Sequence, residues 1–148
     1  MDIKLKYIKY HNDFANSEEG KKLLSDAQNL ILKMDLPMNN ETVYMVFLGA
    51  SYDDFTKKML TWCVFVNNTG KAINELHGVM RFKYTKKQGV QIATTIIDMN
   101  KAFLGEVAKN EGILVNYNIP VKGMSEDCDV RFSDLEGYFD DVRVTYCD

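Results

Sequence analysis

The stretch Leu60–Tyr84, LTWCVFVNNTGKAINELHGVMRFKY, constrains the fold more than any other part of this chain. Its first residues, LTWCVFV, form an apolar run of strand length. The run stops at Asn67-Asn68-Thr69-Gly70, where Asn and Gly tolerate positive φ and favour a turn. Val79–Tyr84 then alternates, with Met80, Phe82 and Tyr84 on one face and Arg81 and Lys83 on the other. The whole reads as strand, polar turn, strand.

The remainder extends the same pattern behind a helical N-terminal section. Ile3, Leu5 and Tyr7 alternate with Lys4 and Lys6, which predicts a short edge strand guarded by lysines. A helix is expected over about 17–34. Asn16 is its expected N-cap and Glu19 closes a capping box. Leu23, Leu24, Ala27, Leu30, Ile31 and Met34 form its apolar stripe, and Asp35-Leu36-Pro37 its stop. Closing one end of the β domain is the ordinary use of such a stripe. Gly20 weakens the first turn by about 1 kcal/mol relative to Ala. Further strands are expected at Thr42–Leu48, Lys58–Val66, Val90–Asp98, Ile113–Ile119 and Phe139–Tyr146, with Ser51-Tyr52-Asp53-Asp54 a turn and Pro120 a terminator. The fold class predicted is mostly β: a sandwich (residues 41–148) with an N-terminal strand and α-helix (residues 1–40) packed on it.

Across residues 58–147 the chain resembles the bacterial immunoglobulin-like β-sandwich domains of the FxLYD and SLAP type. Asn67/Asn68-Thr69-Gly70-Lys71 matches their N-x-T/S-x-K turn, and Phe82-Lys83-Tyr84 the aromatic end of the following strand. GVQIATT and VRVTY match later strands, and Leu104-Gly105-Glu106 approximates their l-x-p-G-e element. The resemblance implies an immunoglobulin-like sandwich, usually outside the membrane, that acts in binding or surface attachment. It supplies no catalytic residues.

The chemistry is narrowed by what is missing. The 148 residues suffice for one domain that buries roughly 70% of its unfolded surface. No apolar run approaches the ~20 residues of a membrane span. The N-terminus MDIKLKYIKYHND lacks the apolar core of a signal peptide. The expected location is therefore cytoplasmic if Met1 is the native start, and extracytoplasmic if a signal peptide was removed. No G-x-G-x-x-G, G-x-x-x-x-G-K-[ST] or G-x-S-x-G occurs. His11 and His77 are the only histidines, one before the helix and one before a strand, which gives poor support to a catalytic or metal site. Cys63, Cys128 and Cys147 include no C-x-x-C. Cys63 and Cys147 could bridge the sheets in an oxidising compartment, but the odd count favours reduced thiols, with Cys63 a buried apolar group.

The candidate functional segment is acidic. Residues 125–148 carry eight acids against two arginines, net −6, which leaves +3 on residues 1–124 out of a total of −3. No basic stripe suggests nucleic acid. Asp127, Asp129, Asp134 or Glu136 could hold calcium, but a solvated acidic loop is favoured over an ion site. Phe132, Leu135, Tyr138 and Phe139 are interleaved with Asp134, Glu136, Asp140 and Asp141, a mixture typical of interfaces. The expectation is a non-catalytic protein-binding or surface-attachment domain. It needs no cofactor or metal, and those eight residues meet a partner carrying a basic patch. A homo-oligomer fits the same features. The competing expectations are a phage- or mobile-element-encoded cytosolic inhibitor of a host protein, a calcium-dependent adhesin and an enzyme without a known motif.

Overall fold

The apolar run that opens Leu60–Tyr84 is a central strand with both faces covered. The computed structural model describes residues 3–8, 11–34, 36 and 41–147. In chain order these form β1 (Lys4–Tyr7), α1 (Asn12–Ala15), α2 (Glu18–Leu32), β2 (Val43–Asp53), β3 (Lys58–Asn67) and β4 (Ile73–Tyr84). Then follow β5 (Gln91–Ile92), β6 (Thr95–Met99), α3 (Lys101–Leu104), β7 (Glu111–Lys122), β8 (Cys128–Arg131) and β9 (Leu135–Tyr146). One sheet has the order β1-β7-β3-β2-β8, with β5 also pairing β7; the other has the order β6-β4-β9. The result is the mostly β sandwich, with an N-terminal strand and helix on it, that the sequence predicts.

Strand parity sorts the side chains into two cores. From β3, Met59, Cys63 and Phe65 point between the sheets, where they meet Met80, Ile97, Val115 and Ile119. Trp62, Val64 and Val66 point the other way, onto Ala27 and Ile31 of α2, Leu5 and Tyr7 of β1 and Ile3 just before it. Burial pushes the Cys63 thiol up to about 12, and its Sγ lies 3.8 Å from Met80 Sδ. Cys63, Cys128 and Cys147 are all free thiols. The continuous apolar run in β2 has the same double cover, plus a bulge between Phe47 and Gly49. Val43 and Phe47 before the bulge and Tyr52 after it all reach the inter-sheet core.

The N-terminal section is tied to the large sheet by specific bonds. β1 pairs in parallel with β7. Its open edge is covered by a side chain of α2. Gln28 Nε2 donates to the Ile3 carbonyl at 2.7 Å, and Gln28 Oε1 accepts from the Leu5 N–H at 2.9 Å. The amide thus satisfies edge groups that would otherwise invite another strand. The lysines expected to guard this edge are placed differently, with Lys6 Nζ 3.1 Å from Glu111 Oε1. Tyr7 donates its hydroxyl to the Gly20 carbonyl at 2.7 Å.

Several boundaries differ from those the sequence suggests. The N-cap of α2 is Ser17, one residue later than Asn16, and its Oγ accepts from Gly20 N at 3.0 Å. The helix lies on the outward face of the large sheet, not at an end of the sandwich, because Trp62, Val64 and Val66 demand cover there. Of the expected helix stop, Asp35 and Pro37 lie outside the described residues. Ser51–Asp53 continue β2, and Tyr52 is fully buried rather than part of a turn. β7 runs through Pro120, whose carbonyl accepts from Ala93 N at 3.0 Å. The expected strand Val90–Asp98 splits: β5 joins the large sheet and β6 the small one. Asn67 is buried and organises the turn after it. Its Nδ2 donates to the Lys71 and Val107 carbonyls, and its Oδ1 accepts from Thr69 N.

Gly20 gives a test of sign. A Cβ there would collide with the Phe14 carbonyl oxygen. Helix propensity alone makes Gly20→Ala stabilising by about 1 kcal/mol. The packing makes it destabilising by roughly 1–3 kcal/mol, the usual cost of forced overpacking. Urea unfolding of the variant is expected to show a lower midpoint; a higher midpoint would mean that the α1–α2 junction is looser than described.

Candidate functional site

The eight sequence-predicted residues do not form one surface. Leu135 is buried in the inter-sheet core, and Phe139 packs against that core with its ring centroid 4.9 Å from that of Phe65. Burying such side chains contributes about 1.5–3 kcal/mol each, so neither is available for a partner. Asp134 is also buried and closes the β8–β9 turn. Its Oδ2 accepts from Arg131 N at 2.9 Å, and its carbonyl accepts from Thr85 N at 2.9 Å. Phe132 is 50% exposed and lines a cleft of about 250 Å³ with Met34, Leu36 and Tyr44. Asp141 is exposed, at φ 54°, where β9 shifts register against β4. The segment read as an acidic loop therefore contains β8 and the first half of β9.

Glu136, Tyr138 and Asp140 do come together, on the outward face of the small sheet. Strand pairing fixes their neighbours. Lys83 lies opposite Glu136, and Arg81 opposite Tyr138. Val79 lies between Asp140 on β9 and Ile96 on β6. His77 lies between Arg143 and Asp98. Inward-facing Met80 and Phe82 force Val79, Arg81 and Lys83 outward by simple alternation.

The polar side chains of this face engage one another. Arg81 Nε donates to Asp140 Oδ2 at 3.0 Å, and its guanidinium stands 5.4 Å from the Tyr138 ring centroid. Tyr138 donates to Glu136 Oε2 at 2.8 Å, and that bond and the Glu136 charge hold its hydroxyl above the ordinary tyrosine pKa. His77 Nδ1 is 2.6 Å from Asp98 Oδ1, and its Nε2 is 3.8 Å from Glu75 Oε1. Both imidazole nitrogens face carboxylates rather than a hydroxyl or thiol. His77 stands within β4, not before a strand. Cross-strand pairs of this kind contribute about 0.2–1 kcal/mol each to a sheet.

Apolar groups lie among these pairs. Ile96 is 75% exposed and Tyr138 42% exposed, with half-buried Val79 between their strands. Sequence reasoning missed Ile96, because it placed that residue in a single strand Val90–Asp98. The Thr95–Asp98 alternation around Ile97 is the signal that turns Ile96 outward. The acids considered for calcium are dispersed in role: Asp127 Oδ1 accepts from Asp54 N, while Asp134 and Glu136 hold the bonds given above. Among the described residues no group of three or more His, Cys, Asp or Glu side chains could hold a metal ion. No described helix is long and apolar enough to cross a membrane. Set against known proteins, the chain matches no family model, no curated protein and no solved structure.

The pairs on this face are exposed, and that decides their cost. Arg81 and Asp140 are each about half exposed, so water screens their attraction. A double-mutant cycle with Arg81→Ala and Asp140→Ala, read by denaturant unfolding, is expected to give a coupling of about 0.2–1 kcal/mol. A coupling above about 2 kcal/mol would make the pair a structural tie rather than a surface contact that a partner can rearrange.

Proposed function

We propose that the chain is a non-catalytic protein-binding domain whose partner meets the outward face of the β6-β4-β9 sheet. The observation that carries this reading is Ile96, 75% exposed opposite Val79, on a sheet face that also carries Tyr138 and that no helix among the described residues covers. The corresponding face of the large sheet is covered by α2 and β1. Apolar and aromatic side chains among weakly coupled charges are the composition of a docking surface with a polar rim.

Charge gives the partner a character. Around the face, Glu75, Asp98, Glu136, Asp140 and Asp141 outnumber Arg81, Lys83 and Arg143. A complementary partner surface carries a basic patch, which speeds encounter and selects among partners. The resemblance to FxLYD- and SLAP-type sandwiches supports the same class of role. The partner is a macromolecule and the contact is made by a sheet face, so the reading needs no cofactor.

Quantitative affinity capture from an extract of the source organism tests this. Recovery of a specifically captured protein is expected to fall at least tenfold with Ile96→Asp and severalfold with Tyr138→Ala, while both variants keep the parent melting temperature. Equal recovery by parent and variants would remove this face from the binding surface.

A further inference from the structure

We draw no further inference here: the strongest candidate, the apolar groove of about 200 Å³ between α2 and the large sheet, lined by Leu23, Ala27, Leu30, Leu48 and Trp62 among others, carries nothing because nothing in the structure shows what covers it.

Discussion

The structure depends on one constraint: β3 is apolar on both faces. Met59, Cys63 and Phe65 point one way, Trp62, Val64 and Val66 the other. Leaving either set in water costs about 1.5–3 kcal/mol per large side chain. Two or three such losses, about 3–9 kcal/mol together, match the lower part of the 5–15 kcal/mol net stability of a typical domain. The chain therefore needs a layer on each side of the large sheet. The small sheet supplies one and the β1–α2 section supplies the other. Gln28, Tyr7 and Gly20 fix that second layer in position, through the β1 edge groups and the close approach of α2 to Phe14.

This layering determines where function can lie. Once α2 covers the large sheet, the outward face of the small sheet is, among the described residues, the broad β surface left to solvent. Its cross-strand pairs are of the exposed kind that contributes only about 0.2–1 kcal/mol each, so the partner proposed for this face could rearrange them. The turns at the end of the sandwich stand apart from that surface. There, hydrogen bonds among Asp53, Asp54, Lys57 and Asp127 brace the turn that carries exposed Phe55.

Much of the fold is legible in the sequence because it rests on periodicity. Alternation at Met80, Phe82 and Tyr84, the apolar run to Val66 and the stripe from Leu23 to Ile31 correspond to β4, β3 and α2. What is not legible rests on long-range contact. Asp134 looks like a surface acid until the β8–β9 turn closes around it. Leu135 and Phe139 look like anchors among acids, yet parity on β9 turns them into the core. Val90–Asp98 reads as one strand because nothing local marks the switch between sheets at Ala93-Thr94. Phe55 was hidden by a boundary: with Ser51–Asp54 read as the turn, it fell between the turn and the next strand. Gly20 reads as a weak helix residue, and its necessity comes from a carbonyl six residues away.

The central claim is that the N-terminal section is an integral layer that completes the burial of β3. Native-state hydrogen exchange tests it most directly. The amides of β1 and the middle of α2 are expected to exchange with the same opening free energy as Val64 and Val66, which marks one cooperative unit. Exchange of β1 and α2 at a much lower free energy, with β3 still fully protected, would make that section a detachable appendage and contradict the account.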